Sequence, residues 1–264
     1  MPLTRPALAA AAAAAALAAA PAAQAAASAE AFISTVTFTL YDLDPLDDIA
    51  PAITFFGEFS QSYAGANNAN DSTFATLFYQ PTGASVADGT ASGSAGTGPG
   101  GAFGNASVLG DLGNGDANYA QGTGLFGAQF EVTPWTGVVI TTAFVGTATT
   151  TLGVVGNAAE YAQANGSFSL DIFTDNGWEY HTANRSAWAN YQWDGNGYTG
   201  MTQSFQGNVR LSYANLSDTT VSGFFSARAE AYAQSMVPVP EPGTYALLLA
   251  GLAGVGAVVR RRRG

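Results

Sequence analysis

Along most of this chain apolar and polar residues alternate with a period of two, and few folds can accommodate that pattern. Phe32, Val36, Phe38 and Leu40 share one parity with Ser34, against Ile33, Thr35, Thr37 and Thr39 on the other. Phe126, Ala128, Phe130 and Val132 alternate with Gln129 and Glu131, and Phe168, Leu170 and Ile172 with Ser167, Ser169 and Asp171. The same holds for Phe205 to Tyr213, for the Thr/Val run opening at Val138, and for a long Ala/Ser-rich segment from Val221 to Gln234. Side chains two apart on a strand share a face, so each run describes a strand with one side buried and the other wet. With weaker segments near 53–59, 73–79, 156–165 and 186–193, eight to ten strands are expected. No amphipathic helix of useful length interrupts them. Two packed sheets are how that many strands each bury one face. The expected fold is all-β: a single antiparallel β-sandwich, jelly-roll-like, over residues 30–236, with a barrel as second choice.

One stretch breaks the pattern. Thirteen of the 44 residues in 81–124 are glycine, with Ser, Ala, Asn and Asp filling most of the rest. Such a composition offers little apolar surface to offset the entropy of ordering, so 81–124 is expected to be a long flexible loop.

The two ends have a different character. Residues 1–29 place Arg5 before an Ala/Leu run and end in small residues, the pattern of a secretory signal peptide. The sites Ala23-Gln24-Ala25 and Ala27-Ser28-Ala29 both suit signal peptidase, leaving cleavage after Ala25 or after Ala29 open. At the other end, residues 237–264 join three parts. Pro238, Pro240 and Pro242 alternate with other residues and hold the backbone extended, since proline fixes φ and lacks a donor. Residues 243–259 carry no charge, close to the minimum that spans a hydrocarbon core of about 30 Å. Arg260, Arg261, Arg262 and Arg263 follow and would keep that end cytoplasmic.

This tripartite tail resembles the PEP-CTERM sorting signal, with Pro240, Glu241, Pro242 and Gly243 as the motif, 244–259 as the transmembrane helix and Arg260–Arg263 as the basic cluster. The resemblance implies a partner, the exosortase, a membrane-embedded, cysteine-dependent, transpeptidase-like enzyme. It further implies an inner-membrane-anchored precursor of a Gram-negative bacterium, cut near the motif and passed to the cell surface or the extracellular polymer matrix. The matching residues are substrate features of another enzyme. Asn215-Leu216-Ser217, a turn and a final Ala/Ser strand running into the prolines also resemble a recurring ending of such proteins.

Between the ends the chain is strongly acidic. It holds three arginines (Arg185, Arg210, Arg228), no lysine, and every Asp and Glu of the protein except Glu241. Nucleic acid is therefore excluded as a partner on charge grounds. The absence of cysteine excludes disulfides, thiol chemistry and thiolate metal sites.

Three constellations bear on chemistry. Asp42, Asp44, Asp47 and Asp48 crowd a strand end, and clustered carboxylates on a loop are what calcium takes; a solvated acidic turn is the alternative, since Asp also favours turns. Trp178, Tyr180, Trp188, Tyr191 and Trp193 lie within 16 residues, among Asp, Asn, Glu and Gln. Rings for stacking beside groups for hydrogen bonding are what a sugar-binding surface uses; rings that fill a sandwich core or cover a sheet face are the alternative. His181, the one histidine, has no nucleophile elbow or metal motif around it. The expected protein is non-enzymatic and needs no cofactor: an exported, exosortase-processed surface or matrix protein of structural role. The alternatives are a carbohydrate-binding module for exopolysaccharide using the 178–198 aromatics, and a permanently membrane-anchored β-domain.

Overall fold

Buried and exposed side chains alternate along strand after strand of the computed structural model, which describes residues 26–78, 80–109, 118–152, 154–155, 158–174, 177–235 and 251. At the start of the first run the parity is the reverse of the one expected, with Ile33 buried and Phe32 exposed. In chain order these are β1 (Ala26–Ser34), β2 (Thr37–Asp42), β3 (Ile53–Ala66), β4 (Asn68–Phe78), β5 (Gly83–Asp88), β6 (Ala91–Gly98), β7 (Gly101–Leu109), β8 (Asn118–Val132) and β9 (Thr136–Thr150). There follow β10 (Val154–Val155), β11 (Ala158–Ala159), β12 (Tyr161–Thr174), β13 (Gly177–Ala189), β14 (Gln192–Trp193), β15 (Tyr198–Thr199), β16 (Thr202–Ala214) and β17 (Val221–Ser235). One sheet has the order β16-β9-β1-β7-β6-β5, with β2 continuing along β9 beyond β1; the other has the order β13-β12-β17-β8-β3-β4. Neighbours in both run antiparallel, as in the β12–β17 and β1–β9 pairs. The sandwich expectation holds. The jelly-roll detail does not: a jelly roll is eight strands in two Greek keys, whereas here each sheet is six strands wide and β5, β6 and β7 form a meander inside one of them.

The core between the sheets tapers. At one end it is filled by rings, with Phe38, Phe55 and Phe126 around Phe225 at centroid distances of 5.5, 5.6 and 6.4 Å. Phe144 and Phe168, both fully buried, sit further in. At the other end it is alanine on alanine: Ala27, Ala29 and Ala31 of β1, Ala162 and Ala164 of β12, and Ala229, Ala231 and Ala233 of β17 are all buried.

The glycine-rich segment belongs to that narrow end, and the flexible-loop expectation for 81–124 is corrected here: it forms β5, β6, β7 and the start of β8, with residues 110–117 lying outside the described residues. The composition argument fails because these strands bury backbone against backbone, where a side chain would be an obstruction. A Cβ on Gly124 would lie 2.5 Å from the Gly96 carbonyl oxygen and 2.6 Å from that of Phe103, across the sandwich. A Cβ on Gly104 would press into the carbonyl of Gly122, and one on Gly93 into the carbonyl of Gln121. Glycine lets the two sheets approach closely, while ladder bonds within each sheet satisfy the polar groups.

β1 opens at Ala26, four residues before the start expected for the domain. Ala27 and Ala29 are each 1% exposed and pair on both sides, with Val108 and Ala106 of β7 and with Thr150 and Ala148 of β9. At the opposite end of the chain, Asn215 is buried and ties two turns together. Its amide donates to the carbonyls of Thr133 (3.0 Å) and Thr219 (2.9 Å), and its Oδ1 accepts the Ser217 N–H (3.1 Å) and hydroxyl (2.7 Å). That gives the Asn215-Leu216-Ser217 ending a physical task, locking the β16–β17 turn onto the β8–β9 turn. Among the described residues no helix is long and apolar enough to cross a membrane. The expected helix 244–259 lies, except for Gly251, outside the described residues, as do residues 1–25 of the expected signal peptide.

Candidate functional site

β13 is the edge strand of its sheet, and its residues alternate between the core side and the outer face. Ala187 and Ala189 are buried, so the even-numbered side chains face out. Trp178, Tyr180 and Trp188 are therefore on the outer face. All five aromatics expected to meet sugar are exposed, from 43% for Tyr191 to 68% for Trp178. The rings do not fill the core; Trp178, Tyr180 and Trp188 cover a sheet face, which fits the sugar-binding expectation and the sheet-face alternative alike.

They do not form one patch. Trp178 and Tyr180 stand at the start of β13, where Trp178 pairs with Phe173 of β12, itself exposed, and Tyr180 with Asp171. Trp188 stands near the other end, paired with Gln163. Tyr191 and Trp193 belong to the β14–β15 hairpin beyond it, where both rings pack edge-on against Tyr198 at 5.0 and 5.2 Å. The hairpin turn is held by Asp194, whose Oδ1 accepts the N–H groups of Asn196 (2.8 Å) and Gly197 (2.9 Å). Those two bonds hold the Asp194 carboxyl below the usual carboxylate range.

Between the aromatic ends the outer face is polar and small. β13 contributes Thr182, Asn184 and Ser186; β12 contributes Asn165, Ser167 and Ser169 beside them. The Thr182 hydroxyl donates to the Phe168 carbonyl (3.2 Å), and Ser169 shares a hydrogen bond with Ser226 of β17 (2.8 Å). On β17 the neighbouring Arg228 is paired with Glu230 at 2.9 Å.

The acidic turn behaves as a turn. Asp42 Oδ1 accepts the Asp44 N–H (3.0 Å), Asp44 Oδ1 the Leu46 N–H (3.2 Å) and Asp47 Oδ1 the Ile49 N–H (2.8 Å), each two residues ahead. Asp48 takes a positive φ of 57°. Among the described residues no three His, Cys, Asp or Glu side chains come together as a metal-holding group.

Two features escaped the sequence reading. At the wide end of the sandwich a cavity of about 370 Å³ opens among Phe38, Phe55, Phe126 and Phe225, with Glu58 and Gln80 also on its wall. Its position follows from a bulge in β3 between Phe56 and Phe59, where Gly57 adopts φ 62°. The break of alternation at Phe55-Phe56-Gly57 was the available signal. Elsewhere, on the core side of β13, His181 Nε2 lies 3.6 Å from Glu179, and its ring lies 6.2 Å from that of Tyr213 on β16. Burial, and secondarily the Glu179 charge, push the Tyr213 hydroxyl above its ordinary pKa. Those contacts join edge strands of different sheets, so no sequence spacing announces them.

The sorting-signal residues Pro240, Glu241, Pro242, Gly243, Arg260, Arg261, Arg262 and Arg263 lie outside the described residues. There the comparison of sequences decides. Residues 238–263 match the family model of the PEP-CTERM protein-sorting motif. This chain carries a PEP-CTERM sorting motif. The PEP-CTERM motif implies export and exosortase-mediated sorting to the cell surface. No curated protein matches the chain. Among solved structures, one from work on the promiscuous specificity of carbohydrate-binding modules of the β-sandwich superfamily aligns at 10% identity, over 77% of this chain and 96% of its own. Its TM-score is 0.13, too low to carry any argument about this protein.

Proposed function

We propose that this protein is a non-enzymatic structural component of the cell surface or exopolysaccharide matrix of a Gram-negative bacterium. It is exported with loss of its signal peptide, cut by exosortase at Pro240–Gly243 and released from its membrane helix. The sorting motif at 238–263 carries this reading. The polymer is met by the aromatics between 178 and 198, a reading supported by their exposure on an outer sheet face and an adjoining hairpin. Of the two signal-peptidase sites, cleavage after Ala25 leaves β1 whole. Cleavage after Ala29 would strip four paired residues from the centre of a sheet.

The test is intact mass of the protein from its native host, in cells with and without exosortase. The expected mature species begins at Ala26 and ends within the Pro240–Gly243 element, and only exosortase-containing cells produce its C-terminus. An identical, full tail in both strains refutes the processing and leaves a permanently anchored β-domain. A start at Glu30 refutes the Ala25 site.

A further inference from the structure

We propose that the outer face of β13 and β12 binds one extended, uncharged polysaccharide chain lying along the strands, held at both aromatic ends at once. This deepens the glycan reading above and rests on it. Trp178 and Trp188 are ten residues apart on one strand and share its outer face, which at about 3.3 Å per residue sets them about 33 Å apart. That span is several times the length of a sugar ring, so a mono- or disaccharide can stack on one end only. A linear polymer can reach both.

What lies between the ends suits the middle of such a chain. The side chains of Asn165, Ser167, Asn184 and Ser186 sit side by side in register, Asn165 opposite Ser186 and Ser167 opposite Asn184. Their hydroxyls and amides both donate and accept, as sugar hydroxyls do, and they are short enough to leave the strip low between the rings. Ionic charge on the outer face beside the strip is acidic or already paired: Asp171 faces out beside Tyr180, and Arg228 is engaged by Glu230, while Arg185 has the parity of the opposite face. With no lysine in the chain and only Arg185 and Arg210 as further arginines between residues 30 and 236, a polyanionic polymer is repelled. An uncharged chain is not.

The test measures binding of the full chain, in detergent, to uncharged polymers (a β-1,4-glucan, a β-1,3-glucan, a galactomannan and dextran), to the disaccharide of each backbone, and to alginate as the polyanion. One polymer is expected to bind at least tenfold tighter than its disaccharide, because the second end engages a chain already held. Trp178→Ala and Trp188→Ala should each weaken polymer binding about tenfold or more and leave the unfolding midpoint unchanged, as both rings are exposed. The double variant should bind polymer no better than wild type binds disaccharide. Added sodium chloride should change little. Equal affinity for polymer and disaccharide, or an effect confined to one tryptophan, overturns the two-ended chain while leaving a local sugar site. Tighter binding of alginate than of every uncharged polymer overturns the choice of ligand class. Retention of no polymer refutes the glycan reading itself.

Discussion

Replacing Gly122 with alanine tests whether the glycine-rich segment is a close interface between sheets. In the structure a Cβ on Gly122 would meet the carbonyl oxygen of Asn105 at 2.5 Å and press harder still into that of Ser94. Ordinary contact needs about 3.5 Å, so the sheets must part by more than about 1 Å. The obstructing atoms are backbone carbonyls of β6 and β7 and cannot swing away as a side chain would. Overpacking a core costs about 1–3 kcal/mol, and two backbone clashes at once put Gly122→Ala at about 3 kcal/mol or more. For a domain of this size each kcal/mol lowers the thermal midpoint by about 2–4 °C, giving a drop of about 6–12 °C. Gly98 is the control: it stands in the same glycine-rich stretch, and a Cβ there would meet nothing within 4 Å, so Gly98→Ala should stay within about 0.5 kcal/mol. Both are read by thermal and urea unfolding of the full chain. A mobile segment predicts the opposite sign for Gly122→Ala, a slight stabilisation from the reduced entropy of the unfolded chain. Equal midpoints for the two variants, or a gain for Gly122→Ala, would refute the interface.

Other residues give sharper local tests. Glu160 is buried and accepts the N–H groups of Thr151 (2.7 Å) and Leu152 (2.9 Å) and the Thr151 hydroxyl (3.2 Å); Glu160→Ala removes those three bonds, the Thr151 N–H keeping the Ala26 carbonyl (3.1 Å), and should cost about 1–3 kcal/mol in urea unfolding, and a loss below 0.5 kcal/mol would contradict this bonding. Tyr213 has its pKa raised in the folded state, so the fold holds that proton longer than the unfolded chain. Its contribution is full below the ordinary tyrosine value of about 10 and is lost as pH rises through and beyond it. Urea midpoints should fall on that alkaline limb less steeply in Tyr213→Phe, and parallel curves would exclude the effect. Asp194 has its pKa lowered by the hairpin bonds, so its contribution holds above the ordinary carboxylate range and disappears as pH falls below it. The NMR signal of the Trp193 indole should shift on that acid limb in wild type and not in Asp194→Ala.

The class of fold was legible because alternation is a one-dimensional signal. From Phe126 to Val132 and from Phe168 to Ile172 the parity read from sequence is the parity observed, since one face of each strand is buried and register cannot slip without exposing it. The sandwich was undercounted where alternation is carried by glycine, alanine and serine, as in β6 and β7. A hydrophobic pattern cannot register a strand whose buried side is bare backbone. The aromatics were recognised as a group, but 178–198 is one cluster only in sequence. Thirteen residues of extended strand carry Trp178 far from the hairpin that holds Trp193, and their separation is a property of the length of β13. The cavity walled by Phe38, Phe55, Phe126 and Phe225 draws on four strands, so the break of alternation at Phe55-Phe56-Gly57 signals a bulge but not the other three walls.

By itself, the sequence determined the address and the class of architecture: the motif at 238–263 is a linear signal, and strand periodicity is local chemistry repeated. Which strands neighbour one another, how closely the two sheets approach, and which aromatics stand together were decided only in three dimensions. These depend on contacts between residues far apart in the chain, such as Gly122 with Asn105 across the sandwich or Asn165 with Glu230 across a ladder. The physical reason is that a glycine is the same residue in a loop and in a closely packed sheet. What distinguishes the two is the backbone packed against it.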